Sequence, residues 1–236
     1  HVNLASFAEE YQEGKKKGYI SPMIDPQHSS ILRMSSPRHD EVYVNMTRIL
    51  NVDPTDAWSL TYGEVEGMRQ AVGCARWLKE YIPGFESASF VIAPMLGIRE
   101  GRRIVGEYIL TEEDIVEGRK FQDVIAKTGL GLDIHAVAAE GGHKFVPTKG
   151  GGSCDIPYRC LVPKEIDNLL ATGRCISADD GAFHSIRGIP SCMAFGQAAG
   201  TAAALSAKEG TKPRNLDISG LQKTLTEQGA ILRGTH

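Results

Sequence analysis

The sequence predicts an α+β fold in which a mixed sheet is flanked by helices, and three observations carry that reading. Short runs alternate apolar and polar residues, "EVYVNM" (41–46) most clearly, as half-buried strands do. From Tyr62 to Tyr81 apolar residues recur at helical spacing. A third segment, entered through Pro190, has helical composition yet is almost bare of large side chains. At 236 residues, 42% hydrophobic and 23% charged, the chain can bury the core of one large or two small domains.

The elements follow in order. Residues 4–17 read as a helix with a solvated end at Lys15–Lys17. "SSILRMSSPRHDEVYVNMTRILNVD" holds two short strands, broken at Asp53–Thr55. The helix over 62–81 places Val65, Met68, Val72, Ala75 and Leu78 at helical spacing and stops at Pro83 and Gly84. "SASFVIAPMLGI" reads as an apolar strand. Thr111 and Asp114 have the spacing of a capping box, and "EEDIVEGRKFQDVIAKTG" after them reads as one or two short helices. Seven glycines between Gly129 and Ser153 predict loops or hairpin turns and mark the main internal boundary. Beyond it come apolar "IPYRCLVP", a strand at "NLLATGR", a polar loop at "ADDGAFHS", the small-residue helix, and an amphipathic helix at "SGLQKTLTEQGA".

Charge and motif content exclude several classes. Lys and Arg number 26 against 29 for Asp and Glu, so no broad basic field favours nucleic acid or a membrane surface as partner. No run reaches the roughly 20 apolar residues of a membrane span. Residues 189–207 come nearest, but Ser191, Gln197 and Thr201 interrupt them, so Gly196-x-x-x-Gly200 is not read as a membrane seam. Cys74, Cys154, Cys160, Cys175 and Cys192 lack the density of a disulfide scaffold and read as mostly buried thiols. Without a C-x-x-C pair, no metal site is expected. The P-loop, H-E-x-x-H, G-x-S-x-G and complete G-x-G-x-x-G patterns are absent from the sequence. The opening "HVNLASFAEEYQ" reads as mid-chain sequence without a secretory leader, and the expected address is cytoplasmic.

Chemistry therefore concentrates around residue 190. Proline at a first helical position forfeits no hydrogen bond, because that amide has no partner within the helix. The neighbouring amides point outward and, with the helix dipole, favour an anion or an electron-rich carbonyl. Gly188 lets a ligand approach the backbone. Along the helix Ala194, Ala198 and Ala202 fall on one side, and Gly196, Gly200 and Ala203 on another. Such a surface suits close packing against a sheet or against a large planar cofactor, and both remain open.

"DIPYRCLVPKEIDNLLATGRCISADDGAFHSIRGIPSCMAFGQAAGTAAAL" resembles the C-terminal part of the FAD-dependent oxidoreductases, and "GIREGRRIVGEYILTEEDI" with the following "DIH" resembles their middle region. Together the blocks cover roughly residues 90–230. The resemblance implies a Rossmann-like parent that binds FAD, with 1–152 as a substrate-binding domain, 153–210 as the returning strand-loop-helix segment of the FAD-binding domain, and 211–236 as a terminal helix and tail. It implies that Gly173 and Arg174 end a strand beside the cofactor. The stretch Ser185, Arg187, Gly188, Ile189, Pro190 and Ser191 would meet the pyrimidine end of the flavin, with residues 197–205 mainly packing. His184 and His135 are the candidate catalytic bases, and Arg99 and Arg159 the candidates for holding a small-molecule substrate. Asp180-Gly181 and His184 depart from the pattern common in relatives. With no glycine-rich turn in this sequence, the chain is expected to be a C-terminal piece of a longer protein, inactive alone. The rival reading is a noncatalytic binding or scaffold domain that kept the flavoprotein frame. The sequence does not set the oligomeric state.

Overall fold

Helix α1 (Ala8–Lys16) follows a 3-10 turn at Leu4–Phe7, as the 4–17 reading expected. The computed structural model describes residues 4–21, 30–32, 40–91, 95–99, 101–135 and 143–233. Described residues up to Ile98 form one compact unit and those from Arg99 onward a second.

In the first unit, strands β1 (Ser30–Leu32) and β2 (Tyr43–Asn45) pair antiparallel, with Ile31 opposite Val44. Tyr43 and Val44 are exposed rather than half-buried, because among the described residues two short strands pair here with no third beside them. Helix α2 (Ala57–Tyr81) begins five residues before the expected start and is capped by Asp56, whose carboxylate accepts the Ser59 amide at 2.8 Å. Its C-terminal half supplies the core. Trp77 is fully buried, edge-on to Tyr11 at 5.4 Å between ring centroids, and its indole N–H donates to Glu10 O at 2.8 Å. Gly73 is required there, since a Cβ would lie 2.2 Å from Tyr19 O. The helical periodicity does not identify one buried face: Leu78 is buried, while Val65, Met68 and Val72 are exposed. The apolar strand expected at 87–98 does not form among the described residues; 92–94 lie outside them.

The second unit opens with the capping box foreseen at Thr111. Its hydroxyl accepts the Asp114 amide at 3.2 Å, and the Asp114 carboxylate accepts the Thr111 amide at 3.0 Å, starting α3 (Glu112–Glu117). Gly118, at φ 64°, ends the helix in the left-handed region. The expected second helix is instead strand β3 (Val124–Thr128), because its buried residues pair antiparallel with the distant β6 (Cys154–Pro157). Between them β4 (Leu132–His135) and β5 (His143–Val146) form the hairpin that the glycine-rich stretch predicted. The β3–β6 pairing spans 152/153, so that functional boundary is not a break in packing.

"ADDGAFHS" is not a loop. Asp179 accepts the Ala182 amide at 2.8 Å and caps helix α4 (Asp180–Ile186), while its other carboxylate oxygen accepts the Glu112 amide at 2.9 Å. Helices α5 (Ile189–Glu209) and α6 (Ile218–Glu227) match the two expected at the C-terminal end. Leu221 and Leu225 of α6 join a core that includes Ile125, Ile156, Leu161, Ile176 and Phe195. Among the described residues the expected mixed sheet gives way to three two-stranded antiparallel sheets, and the parallel contact there is an isolated bridge, Leu110 to Ala178. Cys74, Cys154 and Cys160 are buried free thiols, and burial pushes Cys74 and Cys154 up to about 12. No described helix is long and apolar enough to cross a membrane.

Candidate functional site

Helix α5 begins without a side-chain cap. Gly188, in the extended region at φ −65° and ψ 150°, occupies the N-cap, and Pro190 sits in the first turn. The first ladder bond runs from the Cys192 amide to Gly188 O at 3.0 Å. This entrance is open to solvent: Ile189 is 77% and Met193 71% exposed.

The helix then divides as the sequence suggested. Phe195, Ala198, Ala199, Ala202 and Ser206 are buried, and α5 packs on β3 and α6. The opposite flank runs exposed through Gly196, Gln197, Gly200 and Ala203. A Cβ placed on Gly196 or Gly200 would meet nothing within 4 Å. The bare flank is therefore not used for packing among the described residues.

The expected site residues gather unevenly around this entrance. Arg187 closes α4 immediately before α5; its side chain is largely buried, with one guanidinium nitrogen 3.7 Å from Asp133 of β4. His184 is half-buried on α4, its ring 6.0 Å from Phe183. β4, which packs against α4, carries His135 at its end. Gly173 and Arg174 do not end a strand. They form a 3-10 turn with Gly173 at φ 84°, and "NLLATGR" has no ladder partner among the described residues; the turn packs against α5. Burial pushes the Cys192 thiol up, opposed by the nearby Arg174 charge.

Other candidates are occupied within the fold. The buried Ser185 hydroxyl donates to Gly131 O at 2.8 Å, and Ser185 O accepts from the Thr128 hydroxyl at 3.0 Å. Arg159 clamps Asp123, with Nε 2.9 Å from Oδ2, and lies 5.0 Å over the Tyr108 ring; hydrogen bonding to Asp123 drives its basicity up further. Arg99 is exposed at the start of the second unit.

A family model described as FAD dependent oxidoreductase matches residues 2–225. The chain belongs to the FAD dependent oxidoreductase family. The match extends the resemblance from roughly 90–230 through the N-terminal helices as well. Membership associates the chain with flavin-linked redox function, and members of the FAD dependent oxidoreductase family bind FAD. No curated protein and no solved structure matches the chain.

The α5 entrance fits that cofactor in donor chemistry. Its backbone is uncapped and carries the positive end of a 21-residue helix, and on the adjoining flank Gly196 and Gly200 face open space. Arg187 adds a cation partly balanced by Asp133.

One feature of the second unit escapes the sequence reading. A cleft of about 590 Å3 opens beside β3, lined by Lys127, Ser153, Gln197 and the residues after α6. Reading "VIAKT" within a helix hid Lys127. The available signal was a lysine inside a β-branched apolar run.

Proposed function

We propose that this chain is the C-terminal part of an FAD-dependent oxidoreductase that moves a hydride between a small organic substrate and the flavin. The observation that carries the reading is the open, uncapped start of α5 with its bare flank, set in a chain of this family. When bound, FAD supplies the two-electron chemistry. The Ile189 and Ser191 amides, which precede the first ladder bond, would hold its electron-rich edge, and the helix dipole would stabilise negative charge there. Gly196 and Gly200 leave room for a flat ring or adjoining backbone. Arg187 orients anionic groups at the entrance. His184 and His135, on packed neighbours α4 and β4, are the groups proposed to hold or release a proton at a ring nitrogen. On this reading residues 1–152 serve the substrate and 153–210 the flavin, while 211–236 close the core.

A second reading, a noncatalytic scaffold, is favoured by two observations: the sequence has no complete G-x-G-x-x-G turn, and "NLLATGR" forms no described strand. Titration with FAD, followed by flavin fluorescence, separates the two. The oxidoreductase reading expects saturable quenching, weakened at least about tenfold by Gly196→Leu. A chain that stays colourless and ignores FAD supports the scaffold.

A further inference from the structure

We propose that the cleft beside β3 is a binding site for a small organic monocarboxylate with an apolar body. Its volume of about 590 Å3 lies in the range of small-molecule pockets. Ile125 and Ala126 of β3, Ala194 of α5 and Leu232 of the tail give it apolar walls. Among the residues that line it Lys127 carries the charge, with Ser153 and Gln197 as neutral polar groups and no carboxylate.

Lys127 is built in rather than merely present. Its side chain is nine-tenths buried, and its ammonium lies 3.1 Å from Oδ1 of Asp155, its cross-strand neighbour in β6. Lys120 brings a second ammonium to 3.8 Å from the same oxygen, while Oδ2 accepts the Phe121 amide at 3.1 Å. Yet Oδ1 accepts no aligned hydrogen bond. Lys127 and Asp155 therefore form a close ion pair, and this one oxygen leaves part of the ammonium's three-donor capacity for a ligand. Two cations against one anion leave a surplus positive charge, with Lys120 half exposed and the Lys127 side chain largely buried at the cleft wall. A carboxylate entering the cleft takes up that remaining donor capacity of the Lys127 ammonium.

Ligand class follows from the lining. A single lysine is a point charge suited to a monoanion; an arginine fork or several cations, which a phosphate dianion favours, do not line this cleft. The apolar walls select a carboxylate with a compact hydrocarbon body. The proposal does not depend on flavin, and its test contains none.

The full chain is titrated with 4-methylpentanoate by saturation-transfer NMR and calorimetry, with 4-methylpentanamide and inorganic phosphate as parallel probes. The acid is expected to bind saturably and the amide at least about tenfold more weakly, with no displacement by phosphate. Lys127→Gln is expected to weaken the acid about tenfold without affecting the amide. Gln197→Trp, at an exposed position, narrows the cleft and is expected to abolish binding even if Lys127→Gln fails to fold. The proposal is overturned by absence of saturable acid binding, by equal affinity for acid and amide, by displacement with equimolar phosphate, or by unchanged affinity in Gln197→Trp.

Discussion

Helices α2 and α5 are the two longest among the described residues, and they treat the same two resources, a helix start and interior glycines, in opposite ways. At the start of α2 Asp56 fills the Ser59 amide, whereas no side chain caps α5. In α2 the buried Gly73 brings the backbone against Tyr19 O, whereas Gly196 and Gly200 of α5 face open space. The exposed flanks differ too: α2 shows Trp58, Tyr62 and Val65, whereas beyond Met193 the flank of α5 shows glycine, alanine and Gln197. A small residue in a helix thus indicates close approach only where another segment arrives, a backbone at Gly73 or a side chain at Gly14 and Gly63. Where none does, it leaves a surface on which a flat group can rest.

Substitutions break or sharpen this contrast. Gly73→Ala is expected to have the largest effect, a loss of about 1–3 kcal/mol in urea unfolding, because the new Cβ collides with a backbone carbonyl that cannot turn aside. Asp56→Ala strips the α2 cap and is expected to cost about 1 kcal/mol by the same measurement. Gly200→Ala is expected to act in the opposite direction, stabilising the chain by about 0.5–1 kcal/mol, since the added methyl meets nothing and the helix gains propensity. Destabilisation by Gly200→Ala would show the bare flank to be packed. The smallest effect concerns acid. Hydrogen bonds from Arg69 and then Gln70 hold the Glu66 carboxyl at about 2, below its ordinary 4.5. This contribution is full above the ordinary value and disappears as pH falls through the lowered one. Glu66→Gln is therefore expected to flatten the acid limb of the stability curve between those two values, read as Tm against pH.

Local signals were legible in the sequence and distant ones were not. The Thr111–Asp114 cap, the helical repeat of α2, the proline entrance of α5 and the glycine-rich hairpin each depend on residues within a turn or two of one another. Strand β3 was hidden because "VIAKT" is identified by its partner β6, far along the chain, and by burial on both faces. Helix α4 was hidden because its polar letters suggest a loop, although Asp179 is a good cap and Phe183 and Ile186 supply a buried face. "NLLATGR" has strand composition, but composition does not supply a neighbouring strand. At the candidate site the open α5 entrance was legible. The commitments of Ser185 to Gly131, Arg159 to Asp123 and Arg187 to Asp133 were not, since each joins segments remote in sequence.

The most direct test of the central claim is an amide 1H–15N spectrum of the full chain titrated with FAD. The account predicts the largest shifts at Ile189, Ser191 and the adjoining Cys192, with Ser59 at the capped start of α2 unmoved. Saturating FAD that leaves those three amides in place, or moves Ser59 equally, would contradict it.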